Sequence, residues 1–171
     1  MPQRADTFDV GRLGLAAGEG RRFTLDVAIE PLTFGGETYA AAGGFVTATL
    51  DAERTTRGFA LRLRYETTLE GPCMRCLEVA RRPVAIDARE IDQPGGGEEL
   101  RSPYLQDELL DVASWARDAL ALELPHRIVC SEECRGLCPE CGANLNQVGP
   151  DHRHERAPDP RWAVLRELRF D

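Results

Sequence analysis

Six cysteines, in two groups, hold the most legible chemistry in this chain. Cys73 and Cys76 form one C-x-x-C turn in Gly-Pro-Cys-Met-Arg-Cys-Leu, and Cys130, Cys134, Cys138 and Cys141 follow as a second group closing on Cys-Pro-Glu-Cys-Gly. A C-x-x-C turn aims two thiolates at one point about 2.3 Å from a zinc ion, and a glycine after the second cysteine relieves the tight turn. Structural zinc takes four ligands in a tetrahedron, so the cysteines supply one full site and half of another. His152 and His154 stand just downstream in Asp-His-Arg-His-Glu. An H-x-H pair on an extended segment places both rings on one side and completes the second set. The spacing predicts one zinc on Cys73, Cys76, Cys130 and Cys134, and a second on Cys138, Cys141, His152 and His154. The first site closes a long loop of chain; the second builds a small ribbon-like lobe. A competing assignment joins the two C-x-x-C turns around one ion, but it strands Cys130, Cys134 and both histidines.

Each residue also has an ordinary reading. A C-x-x-C is a redox dithiol in some folds, but neither turn here follows a strand and opens a helix as a thioredoxin-type site requires. His152 and His154 lie in a charged stretch that would be solvated without metal, and His126, after Pro125, reads as surface or as support to a ligand. Trp115 and Trp162 occupy helical positions where core packing is the usual explanation. The adjacent acids Glu98 and Glu99, and Asp107 and Glu108, read as solvated loops, and no residue is assigned a catalytic role.

The elements that must carry these groups change character along the chain. Phe23, Leu25, Val27 and Ile29 alternate with polar or small residues up to Pro31, as do Val46, Ala48 and Leu50, and Phe59, Leu61, Leu63 and Tyr65. This period of two predicts half-buried strands. Another extended segment, from about Val84 to Ile91, puts the first C-x-x-C at the tip of a hairpin. Gln93 to Glu99, with three consecutive glycines, is the strongest loop signal. Val112, Ala116, Ala119 and Leu120 then recur at helical spacing between a capping Asp111 and Pro125. A last helix is expected from Pro160, capped by Asp159, with Trp162, Leu165 and Leu168 as its apolar stripe. The expected fold is α+β: a β-rich antiparallel half over 1–92, a flexible loop over 93–106, and over 107–171 a central helix with a small zinc-bearing lobe ending in a short helix. All of it is expected to form one compact unit.

Composition limits the partners. The formal net charge is −8, which argues against DNA and gives no support for tight phosphate binding. Arg62 and Arg64 alternate on one strand face, and Arg81 and Arg82 follow the first cysteine pair; a solvated face is the favoured reading over an RNA-contacting stripe. An acidic chain suits a basic protein partner. No apolar run is long enough to cross a bilayer, so a membrane role is not expected. The amino-terminal residues do not read as a secretory signal, so the cytoplasm is the expected compartment, where cysteine pairs bind metal more often than they form disulfides.

The Cys-Met-Arg-Cys-Leu turn after a β-rich half, the helix ending in Leu-Glu-Leu-Pro, the run from Cys130 to Asn146 and the closing Asp-Pro-Arg-Trp-Ala-Val-Leu together resemble the YceD family, the large ribosomal RNA subunit accumulation proteins. The resemblance is specific from Cys73 onward and rests on layout before Tyr65. Many relatives carry a C-x-C where this chain has His152 and His154, an exchange compatible with retained metal. The resemblance implies a bacterial, non-enzymatic role in the synthesis, processing or stability of large-subunit ribosomal RNA. The implied partners are ribosome assembly intermediates, met through a basic large-subunit ribosomal protein or through rRNA. Two other function classes compete with this one. A zinc hydrolase or nuclease would use His152, His154 and Glu155 around an open metal position, but there is no HExxH motif. A zinc-ribbon nucleic-acid module needs bases beside the metal, and 130–145 offers only Arg135.

Overall fold

The computed structural model describes residues 3–154. The helix expected from Pro160, with Asp159, Trp162, Leu165 and Leu168, lies outside the described residues, as does Glu155. Ten strands and one α-helix follow in order: β1 (Gln3–Arg4), β2 (Thr7–Asp9), β3 (Gly20–Ala28), β4 (Leu32–Phe34), β5 (Glu37–Ala41), β6 (Phe45–Arg54), β7 (Phe59–Pro72), β8 (Val79–Asp92), β9 (Leu105–Gln106), β10 (Leu109–Asp111) and α1 (Val112–Leu122). The β-rich antiparallel layout with one helix is therefore present among the described residues.

The apolar alternation explains the larger sheet. Leu25 and Val27 of β3, Val46, Ala48, Leu50 and Ala52 of β6, and Phe59, Leu61, Leu63 and Tyr65 of β7 are all buried on one face. Their neighbours on the other face are charged and paired. Arg62 grips Asp87 with two bonds of 2.7 and 2.5 Å, and Asp51 sits between Arg22 at 2.6 Å and Arg64 at 2.7 Å. The sheet runs β1-β3-β6-β7, with β7 the strand all else refers to. Its first half pairs with β6 and its second half with β5, which carries β4; its other side pairs with β8 along its whole length. All pairs are antiparallel except β1 with β3.

Strand β8 begins at Val79, earlier than the alternation from Val84 suggests. Arg81, Arg82 and Pro83 interrupt the apolar pattern, but unbroken register with β7, from Pro72 opposite Val79 to Phe59 opposite Asp92, carries the strand through them. The β7–β8 hairpin thus has Cys73 to Glu78 as its tip.

Helix α1 lies across the buried face, with Val112, Trp115, Ala116, Ala119 and Leu120 inward and Trp115 only 2% exposed. Tyr65 reaches from the sheet to donate its hydroxyl to the Ala116 carbonyl at 2.5 Å. Asp111 caps the helix, accepting from the Ser114 amide at 2.9 Å. A second, three-stranded sheet sets β10 between β2 and β9, so β2 holds the entry to the helix. Residues 93–106 fold back on β8: the Gln93 amide bonds the Leu100 carbonyl at 2.7 Å, and buried Asp92 accepts from Arg101 at 2.9 Å and from the Ser102 amide at 3.1 Å. Among the described residues no helix is long and apolar enough to cross a membrane.

Candidate metal centre

The hairpin tip is built as a knuckle. The Cys73 amide bonds the Glu78 carbonyl at 2.7 Å, and the Leu77 amide bonds the Cys73 carbonyl at 2.9 Å, which turns both sulfurs the same way. The chain leaving α1 is laid against it. Met74 donates its amide to the Ile128 carbonyl at 2.9 Å, and the Ile128 amide meets the Met74 sulfur at 3.5 Å. Arg75, between the two knuckle cysteines, donates to the carbonyls of Cys134 at 2.9 Å and Glu132 at 3.3 Å. Arg82 of β8 adds an ion pair with Glu132.

These contacts bring Cys73, Cys76, Cys130 and Cys134 together, with all four sulfurs within 4.8 Å of one another. Cys73 and Cys134 stand 3.7 Å apart and Cys76 and Cys130 3.6 Å apart, and all six cysteines are free thiols. A tetrahedron with metal–sulfur bonds of about 2.3 Å has edges of about 3.8 Å, so the four sulfurs sit where a metal ion would hold them. Burial opposes the ionisation of Cys73, but amide donors from Cys76 and Arg75 outweigh it and bring the thiol down to about 6. Burial pushes Cys76 up to about 12. Cys134 is also buried, yet the Asn146 side chain and the Gly136 amide draw it down, while its contact with Cys134 raises Cys130. Sulfurs this close do not all carry negative charge unless a cation lies among them.

A second group forms in the lobe that follows. Cys138 and Cys141 repeat the knuckle, the Gly142 amide bonding the Cys138 carbonyl at 2.8 Å, and Gly142 takes the left-handed φ of 72° that the turn needs. The Nε2 atom of His154 lies 3.3 Å from the Cys138 sulfur, that of His152 lies 3.5 Å from the Cys141 sulfur, and the two nitrogens are 3.1 Å apart. Tetrahedral bonds of about 2.0 Å to nitrogen and 2.3 Å to sulfur give separations of about 3.3 to 3.6 Å. Glu140 stands 3.6 Å from the Nδ1 atom of His154, the carboxylate–imidazole arrangement that leaves Nε2 for a metal. Amides of Cys141 and Glu140, then His152, lower the Cys138 thiol to about 6.

Among the described residues the structure thus holds two Cys/His groups able to bind metal ions, and it places the two C-x-x-C turns in different groups rather than around one ion. His126 is exposed and belongs to neither group. Arg75, Asn146 and Glu78 are the supporting residues that spacing alone did not disclose. Asn146 donates to the Cys134 sulfur at 3.4 Å and accepts from the Arg135 amide at 2.8 Å, and Glu78 accepts from Gln147 at 3.2 Å, tying the second lobe to the first knuckle. Only the position of Arg75 inside the Cys-Met-Arg-Cys turn hinted at a part in the site.

Residues 61–169 match the family model described as "Large ribosomal RNA subunit accumulation protein YceD". An uncharacterized protein of Mycobacterium tuberculosis is 35% identical over 170 residues, covering 95% of this chain and 80% of its own. The chloroplastic "Large ribosomal RNA subunit accumulation protein YCED homolog 1" of Zea mays is 45% identical over 40 residues, which is 23% of this chain and 14% of that protein. Its Arabidopsis thaliana namesake is 35% identical over 60 residues, 35% of this chain and 18% of that one. No solved structure matches this chain.

Proposed function

The chain belongs to the YceD family, and from that premise we propose that it is a cytoplasmic, non-enzymatic factor in the synthesis, processing or stability of large-subunit ribosomal RNA, held in shape by zinc. The observation that supports the reading most directly is the extent of the family match. It begins in β7 and takes in both metal-binding groups, so the part shared with the family is the hairpin, the helix and the metal-held lobe. Zinc is the ion proposed because thiolate-rich, four-ligand tetrahedral sets suit it, and because zinc without redox change is what a structural clamp requires.

Four ligands in each group favour a structural role over a catalytic one. Catalytic zinc keeps three protein ligands and an open position for water. The second group has its full four in Cys138, Cys141, His152 and His154. The partner is proposed to be a ribosome assembly intermediate, met through a basic large-subunit protein in preference to naked rRNA. The net charge of −8 and the pairing of Arg22, Arg62 and Arg64 with Asp51 and Asp87 support that order.

The test is depletion of the protein in its host, reading the ratio of mature large-subunit to small-subunit rRNA and mapping precursor ends in the same samples. A selective fall in the large-subunit species is expected, and the precursor ends distinguish failed processing from decay. An unchanged ratio at full depletion removes the rRNA role from this chain. Tight, sequence-specific binding of naked RNA by the purified protein at physiological salt would reverse the order of partners.

A further inference from the structure

Strand β8 has a neighbour on one side only. Among the described residues it pairs with β7 and no other strand, and no loop or turn backbone hydrogen-bonds to its outer edge between Val84 and Ile91. Pro83 tells which groups face outward. Proline is accommodated in a strand where its missing N–H would point away from the ladder. In an antiparallel strand the N–H and C=O of one residue point to the same side and alternate with a period of two. The outward set is then Ala85, Asp87, Arg89 and Ile91, each offering a backbone donor and acceptor that no other described residue takes. Protein edges are commonly blunted by proline and by covering elements. Pro83 and the Arg82–Glu132 ion pair do this at the end near the cysteine cluster, and no described strand or loop backbone pairs with the outer edge over Val84–Ile91.

Beside that open stretch runs a groove. A cavity of about 200 Å³ lies between β8 and the carboxy-terminal half of α1, lined by Ile86, Ala88, Trp115, Ala119 and Leu122. Leu122 is 86% exposed, an apolar side chain at the rim with nothing covering it among the described residues. Glu90 and Glu123 stand in the same lining, and neither carboxylate forms a hydrogen bond or ion pair with another described residue. Asp87 is occupied by Arg62. Arg89, the one cation of the lining, alternates with Glu90 and so points to the opposite face of the sheet.

From this arrangement we infer that β8 and α1 form a docking groove for an extended, basic segment of a partner protein. The segment adds a strand to β8 along Val84–Ile91, seats an apolar side chain against Ala119 and Leu122, and sets lysines or arginines against Glu90 and Glu123. An unpaired edge recognises extended backbone, and the side-chain lining selects which sequence is accepted. A helical partner would leave the edge unpaired, and an acidic peptide or a nucleic acid would be repelled by Glu90 and Glu123, which no described cation pairs. That the segment belongs to a component of the assembling large subunit rests on the role proposed above; the groove itself does not.

The test uses the full chain, with a synthetic peptide Val-Thr-Lys-Thr-Val-Thr-Lys as the probe, whose valines and lysines share one face of the extended strand. Binding is read by isothermal titration and by amide hydrogen exchange. Amides of Ala85, Asp87, Arg89 and Ile91 are expected to exchange fast in the free protein and at least about tenfold more slowly with the probe bound. The double substitution Glu90→Lys, Glu123→Lys is expected to weaken binding by about tenfold or more, as is Leu122→Gln alone at its exposed position. Glu37→Lys, on β5 and away from the groove, changes the net charge of the chain and is expected to leave binding unchanged. Equal binding by the groove variants overturns the inference, as does equal binding of the same peptide with glutamate in place of each lysine, or no binding of the probe at all. Slow exchange of the same four amides in the free protein also overturns it, because a second copy or residues 155–171 would then already cover the edge. Failure here with a normal fall in large-subunit rRNA on depletion removes the groove and leaves the role. Success here with an unchanged rRNA ratio does the reverse.

Discussion

At the residue scale the two knuckles are the same device made from different residues. Gly142 closes one with a left-handed φ of 72°, and Leu77 closes the other at 62° with its side chain 62% exposed. An L residue in that region costs roughly 1 kcal/mol that glycine does not incur. Leu77→Gly is therefore expected to raise stability by about 0.5–1 kcal/mol in chemical denaturation, because the exposed side chain contributes little packing in return. An unchanged or lower midpoint would mean that Leu77 makes contacts beyond the described residues. The two metal groups should also respond differently. Cys73→Ser strikes the group that joins the hairpin tip to the chain leaving α1 and is expected to lower the thermal midpoint of the whole protein. His154→Ala strikes a set drawn from 138–154 alone. It is expected to cut bound metal from two ions to one per chain by elemental analysis while the sheet melts nearly as before. Equal damage from both contradicts two independent sites.

At the scale of elements, each strand or helix is stabilised by something its own residues supply and something it receives. Helix α1 supplies Asp111, whose carboxylate takes the Ser114 amide at 2.9 Å and the Ser114 hydroxyl at 2.7 Å. Asp111→Ala is expected to cost about 1 kcal/mol in urea unfolding, the ordinary value of such a cap. The sheet receives its outer-face order from cross-strand charge. The Arg22 hydrogen bond, and then that of Arg64, holds the Asp51 carboxyl below its usual range against the opposing effect of burial. A carboxyl depressed in the folded state adds stability above its unfolded value of about 3.9, and that stability is lost as pH falls through the folded value. Wild type should accordingly lose stability below about pH 4, and Asp51→Asn should show a shallower loss over the same range in acid titrations followed by circular dichroism. Matching slopes would show that Asp51 plays no part in acid unfolding.

At the scale of the molecule, the first metal group does what a core cannot easily do. It joins sulfurs 61 positions apart for Cys73 and Cys134, and 54 apart for Cys76 and Cys130. Closing a loop of that length costs on the order of 3–4 kcal/mol of chain entropy. Arg75 and the Met74–Ile128 contacts hold the ends together, and the ion would lock them. Removing metal with a strong chelator is expected to open Cys73–Glu78 and 126–154 to proteolysis while the β3-β6-β7 ladder keeps slow hydrogen exchange. The buried residues of that ladder share with Trp115 and Leu120 one core that also takes in Cys73, Cys76 and Cys134, and the ladder's own register and apolar face are expected to hold when the ion is gone. Global unfolding on chelation would show that the sheet depends on the clamp.

The residues themselves determined a good deal. Alternation in Phe23 to Val27, Val46 to Leu50 and Phe59 to Tyr65 specifies half-buried strands wherever they pair, and Asp111 with Val112, Ala116 and Leu120 specifies the helix, because these periods act locally. Cysteine spacing specified the ligand types, since a C-x-x-C turn aims both sulfurs alike in any setting. The short strands β1, β2, β4, β5, β9 and β10 left little trace, being two to five residues each and formed by neighbours rather than by their own pattern. Only the tertiary structure decided that Cys73 sits 3.7 Å from Cys134 and Cys76 3.6 Å from Cys130, that Arg75 clamps the two segments, and that among the described residues no strand pairs with the outer edge of β8 beside α1. Each of these is a through-space distance between segments far apart in the chain, set by the long β7–β8 register and the direction in which α1 releases the chain, and no local period encodes such a distance.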